Sequence, residues 1–249
     1  MVTATGEKDN AVMIWRQEVD EGFTGSAAPA PTRLNITNAS TASDEITCNS
    51  ALYDSVGNII YPSSGNCVVF DKTKGCHEPQ DSFKKHESTI SAICTSHSRQ
   101  LLASSDTNII RIWDSRTCTE VAALSDQHQN QVSILSFSPD DTQLVSVSSN
   151  GHNQIICVWM TLSGGWNDDA RLSFHTHAGH EKVHFCHFTN QNSIVSGGEG
   201  GHVNFWVISQ GLSVVSQQRI NNTCLCGVSV DDKLVVGTKS GSFLVWGGR

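Results

Sequence analysis

Positive charge is scarce in this sequence: 16 Lys and Arg stand against 24 Asp and Glu, for a formal net charge of −8. Chains built to neutralise phosphates carry a basic patch or stripe, so nucleic acid is not an expected partner. Long apolar runs are absent too. No stretch approaches the roughly 18 residues that a membrane-spanning helix requires, and the opening MVTATGEKDNAVMIW lacks the charged-then-apolar order of a secretory signal. These absences predict an intracellular chain with no membrane partner. Paired cysteine motifs are missing as well. Of nine cysteines, Cys224 and Cys226 are spaced C-x-C, and no second pair stands at zinc-ribbon spacing. Cys94, Cys157, Cys186, Cys224 and Cys226 fall in strand-like runs, where reduced cysteine acts as a small apolar filler. With 38% hydrophobic and 16% charged residues, the chain has ample material for a core.

What the sequence does have is a repeat. Leu101 to Asp114, LLASSDTNIIRIWD, holds two short β-rich runs separated by a polar turn and closed by Trp113-Asp114. The same text recurs in runs ending at Trp15, Trp159, Trp206 and Trp246. The last four of these tryptophans are spaced 46, 47 and 40 residues apart, close to the roughly 40 to 45 residues of a WD-repeat propeller blade. Alternating β-branched and aromatic residues before each Trp suit a strand packed on both faces. Small residues such as Ser146, Ser148, Gly197 and Gly198 lead into turns rich in Gly, Asn and Asp. Asp9 stands six residues before Trp15 where the pattern carries a turn-tying Asp, and Thr107, His152, Glu199 or Gly200, and Ser240 occupy or flank the equivalent place elsewhere. The expected fold class is all-β, a WD-repeat β-propeller.

In chain order, residues 1–16 read as the closing half of a blade from a preceding propeller. Residues 17–45, rich in Ala, Ser, Thr and Pro, read as a linker. Residues 46–249 read as a partial propeller of about five blades, ending near Phe70, Trp113, Trp159, Trp206 and Trp246, with Phe70 replacing the usual Trp. The last blade stops before its outer strand. Seven blades normally close such a ring, so the remainder of a longer chain is expected as a partner that completes it. His86 and His180 match the His that opens a blade, and Ser138-Pro139-Asp140-Asp141 is a hairpin turn whose carboxylates can cap backbone amides.

Several segments resemble one family more closely than the general repeat. RIWDSRTCTEVAAL, SFSPDDTQLVSVSSNGHNQIICVW, the insertion SGG, SIVSGGEGGHVNFWVISQGLSV and KLVVGTKSGSFLVWG follow the blade order of the echinoderm microtubule-associated protein-like (EML) family. The resemblance spans roughly residues 46–249. It implies tandem propellers, association with tubulin, microtubules or other cytoskeletal proteins, and a place in the cytoplasm and cytoskeleton, including the axoneme of cilia or flagella. The family's hydrophobic entry motif is poorly kept in residues 31–45, so any binding has to come from blade surfaces. The alternative is a general adaptor that binds a peptide or protein without any tubulin role.

Catalytic, cofactor and metal signatures are not found. His175, His177, His180, His184 and His187 form a histidine-rich stretch, but His184 and His187 fall on opposite faces of a strand of period 2, and loop and strand histidines are the expected reading. The run Gly197 to Gly201 lacks the Lys-Ser/Thr ending of a phosphate loop and precedes a strand rather than a helix, which predicts a hairpin turn. No nucleophile–base pair or carboxylate pair stands out, so a non-enzyme is expected. Trp166, in the insertion, either packs on the blade rim or contacts a partner. Lys72, Lys74, Lys84 and Lys85 form the one local basic patch that could meet an acidic surface.

Overall fold

The computed structural model describes residues 51–62, 66–71, 85–107, 109–125, 128, 130–148, 154–162, 165–167, 170–179, 182–230 and 233–247, with strand placement alone for 2–5, 11–14, 32–35, 63 and 76–79. Asp9, Trp15, Lys72, Lys74, Lys84 and His180 lie outside these residues.

The described secondary structure is strand, arranged as antiparallel meanders. β4 (Leu52–Tyr53), β5 (Ile59–Ser63), β6 (Asn66–Asp71) and β7 (Cys76–Pro79) form the first four-stranded sheet. The second comprises β8 (Ala92–Thr95), β9 (Leu101–Ser105), β10 (Ile110–Asp114) and β11 (Glu120–Leu124). The third comprises β12 (Val132–Phe137), β13 (Gln143–Ser148), β14 (Ile155–Met160) and β15 (Arg171–His177). The fourth comprises β16 (Val183–Asn190), β17 (Ser193–Gly198), β18 (His202–Ile208) and β19 (Leu212–Arg219). A fifth sheet has three strands, β20 (Cys224–Val230), β21 (Lys233–Thr238) and β22 (Phe243–Gly247). The five units and the short last one match the expectation.

The stretch expected to be a linker differs in one place. Thr32–Asn35 is a strand, β3, pairing with β2 (Ala11–Ile14), which pairs in turn with β1 (Val2–Thr5). The Ala-Pro text before it reads as linker, and TRLN after it holds a single apolar residue, Leu34, which the register sets opposite Val12. Local composition conceals such a strand because pairing with a distant partner creates it.

Core formation is sheet on sheet. Ile110 and Ile112 of the second sheet pack with Leu144, Cys157 and Trp159 of the third. Val145, Val147, Ile156 and Val158 of the third pack with Ile194 and Trp206 of the fourth. Val195 and Val203 of the fourth pack with Leu234, Val236 and the part-buried Trp246. The second and third strands of the third and fourth sheets are therefore covered on both sides, which explains burial without alternation in β13, where every residue is buried. Phe185 marks the closest approach. A Cβ at Gly197 on its own sheet, or at Gly227 on the next, would overlap its ring. Gly197 to Gly201 ends β17 and turns into β18, with Gly200 and Gly201 at φ +97 and +69, the hairpin expected.

Candidate functional site

The polar groups that recur at equal positions lie between the strands of each blade. On the second sheet the Trp113 indole Nε1 donates to Ser104 Oγ at 2.8 Å, and His86 Nε2 lies 2.7 Å from the same oxygen. Asp106 Oδ2 sits 3.2 Å from His86 Nδ1. One proton arrangement serves the indole, serine and imidazole Nε2 and turns His86 Nδ1 toward the Asp106 carboxylate, a contact at ion-pair distance and not a formed hydrogen bond. With the imidazole protonated at Nδ1 toward Asp106, Nε2 accepts the Ser104 hydroxyl proton, and Ser104 Oγ accepts the indole N–H. Asp106 also closes its own turn, its Oδ1 accepting the Ile109 amide at 3.0 Å.

This Asp-His-Ser order mimics a hydrolase triad, yet its surroundings rule out that use. Ser104 is wholly buried, the His86 side chain is inaccessible, and the serine oxygen is already engaged by the indole. A nucleophile has to reach a substrate carbon, and Ser104 has no path to one. Burial lowers the pKa of His86 while the neighbouring Asp106 pulls it back up.

The third sheet keeps three of the four groups. Trp159 Nε1 donates to Ser146 Oγ at 2.8 Å, and His128 Nε2 lies 2.6 Å from it. Ser148 holds the place of Asp106 and accepts the Ile155 amide at 3.3 Å, as Asp106 accepts that of Ile109. It does not reach the imidazole, and His128 Nδ1 is buried with no hydrogen-bond partner among the described residues. Burial alone pushes the His128 pKa down to about 4. On the fourth sheet Trp206 Nε1 donates to Ser196 Oγ at 2.9 Å. Gly198 takes the acid's place, because a side chain there would run into the Lys182 carbonyl. On the fifth, Val236 stands where the others have serine, so Trp246 keeps only its apolar role.

The sequence reading places the tryptophans and His86 in the repeat frame and assigns no role there to Ser104, Asp106, His128, Ser146 or Ser196. The available signal was spacing: each serine lies two residues beyond the residue paired with its Trp. The acid of the second blade is Asp106, directly before Thr107, which the repeat pattern sets at or beside that place. Asp114, the Asp of the Trp-Asp pair, caps the β10–β11 turn, its Oδ1 accepting from the Arg116 and Thr117 amides. Those bonds, that from the Thr117 amide foremost, hold its carboxyl below the ordinary range. Phe70, without an indole N–H, lies opposite Ile59 and is buried as an apolar plug.

The Ser138–Asp141 turn does more than close its own hairpin. Asp140 Oδ1 accepts from Ser138 Oγ and the Thr142 amide. Asp141, at φ +61, extends its carboxylate to the neighbouring hairpin and accepts the His97 and Ser98 amides at 2.6 and 3.0 Å. Trp166 folds onto this turn. Its Nε1 donates to the Asp141 carbonyl at 2.7 Å, its ring meets Phe137 edge-on, and 8% of it is exposed. Of its two expected roles, packing is the one the geometry supports, and the burial leaves little ring for a partner. Lys85, the described member of the basic patch, lies 3.4 Å from Glu120, which also binds Arg111. Its charge is partly neutralised.

A cavity of about 370 Å3 opens between the innermost strands of the third, fourth and fifth sheets. His97, His184, His187, Ser136 and Ser229 supply its polar lining, and Ile134, Phe185 and Phe188 part of the rest. The histidines do not converge on a point. His184 faces Glu199 at 3.7 Å, and His187 Nε2 bonds Ser229 Oγ of the next sheet at 2.9 Å. Burial lowers the His187 pKa to about 4, leaving it neutral. Among the described residues no group of three or more His, Cys, Asp or Glu is placed to hold a metal ion.

Two of the three tryptophan–serine bonds, those of Trp113 and Trp159, sit in stretches that match a known family. Residues 77–114 and 119–160 match the family described as WD domain, G-beta repeat, known as WD40. The chain carries WD40 repeats. Protein tipD of Dictyostelium discoideum is 27% identical over 139 residues, covering 55% of this chain and 20% of that protein. WD repeat-containing protein 90 of Homo sapiens is 30% identical over 215 residues, covering 78% of this chain and 11% of that protein. The chain thus spans a minor fraction of the length of these relatives. The WD40 matches coincide with the sheets that hold the His-Ser-Trp bonds, the first with Asp106 in addition.

Proposed function

We propose that this chain is a non-catalytic scaffold whose blades bind tubulin in the microtubule lattice, in the cytoplasm and in the axoneme of cilia. The observation that carries the reading is the run of blades from β4 to β22, whose motifs IVSGGEGGHVNFW and GTKSGSFLVW resemble the EML family. WD40 repeats are interaction modules, and the buried state of the Asp106-His86-Ser104 group supports a scaffold over a hydrolase.

A general adaptor is the second reading, favoured by charge. Tubulin surfaces are acidic and so is this chain, at −8, and the pairing of Lys85 with Glu120 weakens the local basic patch. Tubulin binding then relies on shape-matched apolar and hydrogen-bonded contact instead of bulk attraction. Co-sedimentation with polymerised tubulin over a series of salt concentrations separates the two readings. Pelleting that survives added salt is expected, and no pelleting at the lowest salt transfers the chain to the adaptor class.

A further inference from the structure

The third sheet ends in β15, whose sequence RLSFHTH sets His175 and His177 two residues apart on a strand of period 2. The register gives them a common face. His175 lies opposite Cys157 and His177 opposite Ile155, whereas Thr176 between them lies opposite Ile156 and belongs to the other face. β15 is the outer strand of its sheet, and both histidines are exposed. They differ in one respect from the other histidines whose side chains are described. His86 and His128 meet buried serines, His97 and His184 face carboxylates, His187 bonds Ser229, and His202 lies between the Gly179 and Gly200 carbonyls. His175 and His177 have no hydrogen-bond or ion-pair partner among the described residues. Their ring nitrogens are open to a ligand.

Residues two apart on a strand are separated by roughly 6.6 Å along it, and a neutral imidazole binds a borderline metal ion through one ring nitrogen at about 2.0 to 2.1 Å. Two rings leaning toward one another across that spacing share a single ion. The neighbours do not oppose this. Arg171 pairs with Met160 and so stands on the opposite face of the strand, which keeps its charge away from the ion. Cys157, though opposite His175, is wholly buried in the core between the second and third sheets, and burial pushes its thiol up to about 12. It stays a thiol and outside the ligand set. We propose that His175 and His177 form a two-imidazole site for a transition-metal cation of the copper, nickel and zinc class, with water in the remaining coordination positions. Nitrogen ligands hold Cu2+ most tightly and Ni2+ and Zn2+ less so, whereas the hard ions Mg2+ and Ca2+ prefer oxygen and are not taken up. Two ligands on an outer strand do not make the closed four-ligand cage of a structural zinc site, so the ion exchanges with solvent and the fold stands without it. The inference holds whether or not the chain binds tubulin.

Cu2+ serves as the probe. Electron paramagnetic resonance of the chain with an equivalent of Cu2+ is expected to show coupling to two imidazole nitrogens. Calorimetric titration is expected to show a site whose affinity falls about ten-fold or more in His175→Asn and equally in His177→Asn, because either change removes the chelate and leaves one ring to bind alone. His184→Asn, on an inner strand and facing Glu199, leaves that affinity unchanged. Both changed positions are exposed, and urea melts without metal verify that the variants fold as the parent does. Unchanged Cu2+ affinity in the double variant overturns the inference by placing the ion elsewhere on the chain. So does coupling to a single nitrogen, or a loss of affinity in only one of the two single variants.

Discussion

A serine that accepts the tryptophan indole recurs in the second, third and fourth sheets. Ser104 Oγ binds both the Trp113 indole and His86 in a site closed to water, so its removal leaves two buried groups without a partner. Ser104→Ala is expected to cost about 2 kcal/mol, read from denaturant unfolding. Ser196→Ala should cost less if no histidine shares its oxygen. The buried imidazoles add a pH dependence. His128 and His187 have folded pKa values of about 4 against an ordinary 6.5. Above pH 6.5 both are neutral in either state and their contribution is complete. As pH falls from 6.5 toward 4 the unfolded chain takes up protons that the fold refuses, and stability drops by up to ~1.4 kcal/mol per pH unit for each group. Urea melts at stepped pH should show this slope, and His128→Asn should reduce it by about one proton. Ser148→Asp should restore the acid that His128 lacks, adding about 1 kcal/mol and raising the His128 pKa, measurable by NMR titration.

Among elements, the close fit of one sheet on the next is decided at a few positions. Phe185 lies between Gly197 and Gly227, and the space on either side is too small for a Cβ. Gly227→Ala forces the ring or strand β20 to move, with an expected loss of about 2 kcal/mol and faster amide exchange in β20–β22. The hairpin ends are joined separately. Asp141 reaches the His97 and Ser98 amides of the preceding sheet, and Gln143 Nε2 donates to the Gln191 carbonyl of the following one at 2.9 Å. Three consecutive blades are thereby linked at their turns as well as through their faces.

For the whole molecule, charge bears on the function more than on the fold. The net charge of −8 disfavours approach to an acidic lattice. Lys85 is 53% exposed but faces Glu120, and an exposed pair of this kind contributes less than ~1 kcal/mol. Lys85→Ala is therefore expected to leave both thermal stability and tubulin pelleting nearly unchanged. A sharp loss of pelleting would instead show that the basic patch makes the contact. The blades combine stiff, doubly covered inner strands with outer strands such as β19, whose residues from Ser213 to Arg219 are all exposed.

The local text determined the number of described blades after residue 46, their order and the tryptophans that end them, because a strand covered on both faces needs β-branched and aromatic residues at fixed spacing. It also marked His86 and the Ser138–Asp141 turn, though not their distant partners, Ser104 for His86 and the His97 and Ser98 amides for Asp141. Tertiary structure alone decided which serine each indole meets, that Asp106 and not Thr107 serves His86, that Thr32–Asn35 joins a sheet, and that Trp166 lies inside. Each of these depends on groups far apart in the chain meeting in a space too small or too dry for any other arrangement, and no local pattern records that space.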